Sequence, residues 1–147
     1  MKIKFLVVLA LLLVNSCGIF NRMPNSQSNA CDLLEYKSSW RRSVNSTTKK
    51  WGVAPSLQLA FIKTESNFRA RAKTPRKYFL GLFPTGRISS AYGYAQALDG
   101  TWDWYRKDSG NRSASRTNFS DSTDFIGWYV NKTQEKLNIS KSNVYKQ

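Results

Sequence analysis

The sequence predicts one domain that is mainly helical. Apolar and aromatic side chains recur at spacings of three and four residues in several stretches, which is typical of helices with one buried face. No stretch shows the apolar–polar alternation of a strand, and no internal repeat or low-complexity segment is present. The 147 residues suffice for one domain, and an aromatic content of 14% supplies bulky side chains for its core.

The N-terminus has the pattern of a secretory signal peptide over residues 1–16. A short basic start, Met1 to Lys4, precedes an apolar run from Phe5 to Val14 that is too short to span a bilayer as a helix. The run ends in Val14-Asn15-Ser16-Cys17, which resembles the lipobox of bacterial lipoproteins. That resemblance implies that Cys17 is lipidated and anchors the mature chain. An ordinary cleaved signal peptide with an incidental cysteine remains the alternative.

Residues 17–30 are polar, rich in Asn and Ser, and predict a flexible tether between the anchor and a folded domain over residues 31–147. Gly18 stands where an aspartate would indicate retention in the inner membrane of some bacteria. By analogy, we expect a lipid-anchored protein of the bacterial cell envelope, in the outer membrane and facing the periplasm.

Four helices are predicted from local start and stop signals. The first covers 31–50, contains Cys31 as a small core residue and ends before Gly52. The second begins at Pro55 and runs to about residue 67. The third covers 100–107 with Asp99 as its cap, and the fourth follows Ser120 as its cap.

Residues 69–91 are expected to be irregular, because prolines and glycines interrupt them, yet they are rich in aromatic and leucine side chains. Loops of this length in a compact domain are usually functional. Two interpretations stay open at this point: a cleft wall or lid, and a hydrophobic flap packed on the core.

Charge and composition restrict the chemistry. The net charge is +14, and it falls to +12 once Lys2 and Lys4 are removed with the signal peptide. Nucleic acid, an anionic membrane and the bacterial cell wall are all compatible partners. The absence of histidine excludes His-based metal sites and Ser–His or Cys–His nucleophile pairs. We therefore expect no metal ion and no cofactor.

Glu65 is the candidate catalytic residue. It falls on one helical face with four neighbours at matching spacings, Leu57, Phe61, Thr64 and Phe68. This face is predicted to point at the core, and the residue lies near a helix C-terminus, so both effects disfavour a negative charge. A protonated Glu in an apolar setting can act as a general acid. The alternative is a structural carboxylate paired with Arg69.

A second catalytic carboxylate is not evident. Asp99 is predicted to be a cap and Asp103 to be exposed, whereas Glu35 and Glu135 lie in polar stretches typical of a surface. A single functional carboxyl group suits a reaction in which the substrate supplies its own nucleophile.

Glu65-Ser66 stands at the end of an apolar helix, and Gly93-Tyr94-Ala95-Gln96 follows after a loop. In this order the two motifs resemble those of the soluble lytic transglycosylases, which belong to the lysozyme-like superfamily and are akin to goose-type lysozyme. Flanking segments extend this resemblance towards lipoprotein members of the family over about 31–147; they are Trp51 to Val53, Thr64 to Phe68, Ser90 to Trp102 and Phe125 to Tyr129.

The resemblance implies cleavage of the bond between N-acetylmuramic acid and N-acetylglucosamine, with 1,6-anhydromuramic ends as products. Glu65 would then act first as acid and afterwards as base. Ser66 would orient Glu65, and four residues would line the sugar cleft, namely Tyr92, Gly93, Tyr94 and Gln96. Trp102 would either stack on a sugar or belong to the core. The implied partners are peptidoglycan, the membrane through the anchor, and cell-envelope complexes, but not nucleic acid.

One family feature does not occur in the printed sequence. The third motif, a Tyr followed by Asn or His on a further helix, has no counterpart before Gln147. This departure leaves a second hypothesis open, a catalytically weak peptidoglycan-binding lipoprotein on the same scaffold. A basic module for nucleic acid is the third, although no nucleic-acid motif supports it.

Overall fold

The computed structural model describes residues 30–139, and the chain divides into two compact units, 1–36 and 37–147. The described part of the first unit is helix α1, Ala30–Tyr36. The described part of the second unit, residues 37–139, contains four helices and two strands, in the order α2 Ser38–Trp51, α3 Pro55–Ser66, β1 Arg76–Phe79, β2 Phe83–Arg87, α4 Asp99–Asp108 and α5 Phe119–Leu137. The predicted mainly helical fold is confirmed.

The first predicted helix is in fact two. The backbone of Lys37, with φ −120° and ψ 88°, leaves the helical region and separates α1 from α2. Cys31 is exposed, so its assignment to the core is wrong. The signal peptide, Cys17 and the tether up to residue 29 lie outside the described residues, whereas Ala30 is the first residue of α1; the predicted boundaries at 16 and 30 remain predictions.

Helix ends follow local backbone chemistry. Gly52 ends α2 in the left-handed region, and its N–H donates to the Thr48 carbonyl at 2.8 Å. Pro55 opens α3 as predicted. The two predicted caps are wrong: α4 already includes Asp99, and α5 is capped by Asn118, whose side-chain oxygen accepts from the Asp121 N–H at 3.2 Å.

Aromatic rings fill the core of the second unit. Trp40 stacks on Phe119 with ring centres 4.0 Å apart, and Tyr94 meets Phe119 edge-on at 5.4 Å. A second cluster joins α4 to α5 and contains Trp102, Tyr105, Phe125 and Trp128. Trp102 is thus a core residue.

Helices α2 and α5 form the most extensive contact between helices in this unit. Gly127 permits it, because a Cβ there would lie 2.4 Å from the Trp51 ring. Asp124 adds a polar link: its carboxylate accepts from Lys50 at 3.0 Å, from the Trp51 indole at 2.8 Å and from the Tyr105 hydroxyl at 2.8 Å. Burial and the hydrogen bond to Asp124 raise the pKa of the Tyr105 hydroxyl.

The stretch expected to be irregular contains an antiparallel hairpin, so the expectation of no strands is wrong. Arg76 pairs with Arg87 and Phe79 with Phe83, with a bulge after Lys77. Every residue of both strands is exposed. The hairpin is therefore not a flap packed on the core. No helix within residues 30–139 is both long and apolar enough to cross a membrane.

Candidate active site

Glu65 lies on the wall of an open pocket of about 170 Å³. Helix α3 contributes Phe61 and Glu65 to it, and the remaining lining residues are Ala95, Gln96, Ala97, Leu98, Thr101, Phe125 and Tyr129. Most of these side chains are apolar. The pocket therefore combines one carboxyl group and one amide with a largely apolar wall, which is the usual composition of a ligand site.

The orientation of α3 differs from the prediction. Glu65 is exposed, and the helix buries its other face through Gln58, Leu59, Ile62 and Ser66. Phe61 and Glu65 of the predicted stripe line the pocket, Leu57 and Thr64 are exposed outside it, and Phe68 is buried in the core. The expected burial of Glu65 is wrong, whereas its position near the C-terminal end of the helix is confirmed.

Two polar side chains on α3 are buried, and their donor groups bind backbone carbonyls. The Gln58 amide nitrogen donates to the Val53 carbonyl at 2.8 Å and to the Val44 carbonyl at 3.2 Å, whereas its Oε1 is buried without a hydrogen-bond partner in the described structure. The Ser66 hydroxyl donates to the Ile62 carbonyl of the same helix at 3.0 Å. The bond from Gln58 to Val44 joins α3 to α2, which helps to hold the face with Glu65 towards the pocket.

Glu65 forms no ion pair and no side-chain hydrogen bond with the part of the chain that the structure describes. The alternative pairing with Arg69 is not formed, because the Arg69 guanidinium donates to the Ser66 carbonyl at 3.0 Å. Asp99 pairs with Arg116 at 2.8 Å and Asp103 with Arg106 at 3.5 Å, and neither lines the pocket. Glu65 is thus the only carboxyl group among the lining residues.

Gln96 reaches the same pocket from a tightly held turn. Its amide nitrogen donates to the Ala72 carbonyl at 3.0 Å and to the Gly93 carbonyl at 2.8 Å. The reverse orientation of the amide would set its oxygen against two carbonyls, so the hydrogen bonds define which atom points where. Both donor hydrogens are used within the protein, and Oε1 is the atom left to accept from a ligand.

The model of the transglycosylase SLT domain family matches residues 5–147 of the chain. The chain belongs to this family. Its helical domain with one small two-stranded sheet agrees with the lysozyme-like fold of SLT domains. Membership in this family implies that the domain binds peptidoglycan, which is found in the bacterial cell envelope. No curated protein and no solved structure matches the chain significantly.

The other residues predicted for the sugar cleft of this SLT domain do not line the pocket. Ser66 and Tyr94 are buried, and burial raises the pKa of the Tyr94 phenol. Gly93 is buried as well, and the space it leaves is taken by the backbone of Arg116, whose carbonyl oxygen would lie 2.0 Å from an added Cβ. Gly93 was predicted to line the sugar cleft, but the space beside it is filled by the protein itself.

Tyr92 lines a different hollow, of about 520 Å³, together with residues of α4 and of the loop before α5. Its ring is flanked by the Lys73 ammonium at 5.1 Å and the Arg116 guanidinium at 5.4 Å from the ring centre. The structure thus brings Glu65 and Gln96 together in one pocket and places Tyr92 elsewhere.

Several pocket residues were not predicted from the sequence, namely Leu98, Thr101, Phe125 and Tyr129. Phe125 and Tyr129 are four residues apart on α5 and their rings stack with centres 5.8 Å apart, so helical spacing could have identified them as a pair. Nothing local marks Leu98 or Thr101. Within residues 30–139, no group of three His, Cys, Asp or Glu side chains could hold a metal ion.

Proposed function

We propose that the protein is a peptidoglycan lytic transglycosylase that cleaves the β-1,4 bond from N-acetylmuramic acid to N-acetylglucosamine. The strongest support is that Glu65, the single carboxyl group among the lining residues, shares its pocket with Gln96. Family membership supplies the substrate class. The product would carry a 1,6-anhydromuramic end, and the biological role would be remodelling of the cell wall.

Glu65 would perform both proton transfers. Its protonated carboxyl group would donate to the glycosidic oxygen, so that the bond from this oxygen to C1 of the muramic sugar breaks. The 2-acetamido oxygen of that sugar would stabilise the cationic C1. The Glu65 carboxylate would then take the proton from the C6 hydroxyl as its oxygen bonds to C1. One bond forms for the one broken, no water is consumed, and Glu65 returns to its starting state.

The exposed carboxyl group of the free protein is compatible with the acid role. A sugar bound against Phe61, Leu98 and Phe125 would remove water from Glu65, and desolvation disfavours the charged carboxylate. Because no cation or hydrogen-bond donor in the described structure holds the Glu65 side chain, the carboxyl group can turn towards the glycosidic oxygen.

Gln96 would orient the glycan. With both amide hydrogens on the Ala72 and Gly93 carbonyls, its Oε1 is held in place to accept from a sugar hydroxyl or an acetamido N–H. A fixed acceptor is more selective than a rotating one, because its position is set before the ligand arrives.

Digestion of purified sacculi tests the proposal. We expect the Glu65→Gln protein to release muropeptides at least about 100-fold more slowly than the wild type, since a general acid contributes about 10²–10⁴-fold. Glu135→Gln is the matched control, because Glu135 is an exposed helical Glu away from the pocket. Sacculus binding without release by the wild type would contradict the proposal and support a peptidoglycan-binding protein on the same scaffold.

We also propose that the chain is a lipoprotein of the outer membrane facing the periplasm, anchored through Cys17. The support is the basic start, the apolar run and the lipobox-like segment at residues 14–17. Metabolic labelling with a radioactive fatty acid should mark the wild type but not Cys17→Ser. Equal labelling of both proteins would contradict the anchor.

A further inference from the structure

The tip of the hairpin exposes an unusual concentration of large apolar side chains. Leu80 is 77% and Leu82 is 76% exposed, and the tip also exposes Tyr78, Phe79 and Phe83. Every residue of both strands is exposed in the described structure. Apolar patches of this kind on soluble domains usually mark a surface that contacts a partner or a membrane.

The residue at the first central position of the turn is apolar and is not one that this type of turn prefers. Leu80 and Gly81 have φ of 49° and 73°, and the Leu82 N–H donates to the Phe79 carbonyl at 3.1 Å. Positive φ at both central positions is the pattern of a type I′ turn, in which Asn-Gly is strongly preferred. Leucine is an unfavourable residue in the left-handed region. Its presence at the most projecting position indicates a use for its side chain.

Basic residues surround the apolar tip. Between Glu65 and Asp99 the chain has no acidic residue and six basic ones, namely Arg69, Arg71, Lys73, Arg76, Lys77 and Arg87, all of them exposed. Three of them lie in the strands next to the tip. An apolar projection with a cationic base is complementary to a bilayer that has an apolar interior beneath anionic headgroups.

We propose that the hairpin tip, residues 78–83, inserts into the headgroup region of an anionic lipid bilayer. The five large apolar side chains would enter the boundary between headgroups and acyl chains, while the strand cations would contact lipid phosphates. A second copy of the chain is a poorer occupant, because six like charges on each copy would repel one another. A glycan strand is poorer too, since its hydroxyl-rich surface gives Leu80 and Leu82 little apolar contact.

The base of the hairpin is fixed to the pocket wall, so the contact would be local and rigid. The Thr74 hydroxyl donates to the Ser89 carbonyl at 2.9 Å, and Lys73 pairs with Tyr92 as an isolated bridge. Ala72, one residue earlier, holds Gln96. Tip insertion would thus act on the segment that positions Gln96, independently of any N-terminal anchor.

Site-specific fluorescence in the full chain tests this proposal. In a Cys17→Ser, Cys31→Ser background, an environment-sensitive dye is attached at Leu82→Cys or, as the matched control, at Leu137→Cys, an exposed leucine on α5. Vesicles of phosphatidylglycerol and phosphatidylcholine should shift the emission to the blue at position 82 and leave it unchanged at position 137. Phosphatidylcholine alone should have a much weaker effect.

Second substitutions measure which residues matter. Leu80→Ser should weaken vesicle binding of the position-82 probe at least about tenfold, equivalent to about 1.4 kcal/mol, whereas Leu137→Ser should leave it unchanged. Arg76→Gln with Arg87→Gln should weaken binding about tenfold or more to anionic vesicles, since each basic residue near such a surface contributes appreciably.

Three results would overturn the proposal. The first is no response of the position-82 probe to anionic vesicles, and the second is an equal response at position 137. The third is the same blue shift without lipid, either on adding sacculi, which would indicate a glycan surface, or on raising the protein concentration, which would indicate self-association.

Discussion

Gly93→Ala separates two explanations of the Gly93-Tyr94-Ala95-Gln96 segment. The family resemblance implies that Gly93 lines the sugar cleft, whereas the structure places the backbone of Arg116 against it. A Cβ on Gly93 would lie 2.0 Å from the Arg116 carbonyl oxygen and 2.6 Å from its carbon, so one of the two segments must move. The same carbonyl accepts from the Tyr94 N–H at 3.1 Å and from the Ser122 hydroxyl at 3.2 Å.

The expected cost has three parts. Alanine at the φ of +81° found at Gly93 is strained, the added methyl group overpacks a buried contact, and separating the segments lengthens both hydrogen bonds to Arg116. Together these effects amount to about 3–6 kcal/mol. Because a domain of this size has a free energy of unfolding of about 5–15 kcal/mol, we expect Gly93→Ala to lower the Tm by at least about 10 °C.

Thermal unfolding followed by circular dichroism provides the measurement, and two other glycines are its controls. Gly110 has φ +75° and nothing near its Cβ position, so Gly110→Ala should show only the backbone strain, about 1–2 kcal/mol. Gly100 lies within α4 without steric conflict, and Gly100→Ala should stabilise by up to about 1 kcal/mol. If Gly93→Ala melts like Gly110→Ala but no longer binds sacculi, the structural explanation is wrong and Gly93 contacts the ligand.

Two further predictions concern the helix contacts. Asp124→Asn removes the charge that three donors share, and we expect a loss of about 1.5–3 kcal/mol in urea unfolding with an unchanged m-value; an unchanged midpoint would contradict the role of this carboxylate. Hydrogen bonds from Trp128 and Lys132 hold the pKa of Asp108 below its usual value. The resulting stabilisation is therefore present above the ordinary Asp pKa of about 3.9 and is lost as pH falls through the lowered pKa. Asp108→Asn should reduce the dependence of Tm on pH in that acidic range. A dependence as strong as that of the wild type would refute this role of Asp108.

The end of α2 and the start of α3 were predictable because their signals are local. Gly52 and Pro55 mark the end of α2 and the start of α3 whatever the rest of the chain does. The hairpin was not predictable in the same way. Its strands are exposed on both faces, so they show no apolar–polar alternation, and its turn has Leu80 where the favoured sequence would have Asn. The side chains at the tip are exposed, so contacts with the rest of the described domain do not explain why they are apolar.

The pocket beside Glu65 shows a second limit of pattern reasoning. An apolar stripe on a helix predicts that some surface covers it, but a ligand pocket needs apolar side chains as much as a core does. Of the predicted stripe, Phe61 and Glu65 line the pocket and Phe68 belongs to the core, while the donor groups of Gln58 and Ser66 are buried against distant and local carbonyls. The ordered motifs, and not the helical period, predicted Glu65 and Gln96 for one site, and both residues line the same pocket.

The most direct test of the proposed mechanism is the fate of solvent oxygen during cleavage. Sacculi are digested in water enriched in heavy oxygen, and the muramic ends are analysed by mass spectrometry. If the C6 hydroxyl is the nucleophile and Glu65 transfers both protons, the wild type should release ends that are one water lighter than hydrolysis products and carry no label, and Glu65→Gln should release almost none. Labelled reducing ends, or unlabelled anhydro ends formed equally fast by Glu65→Gln, would contradict it.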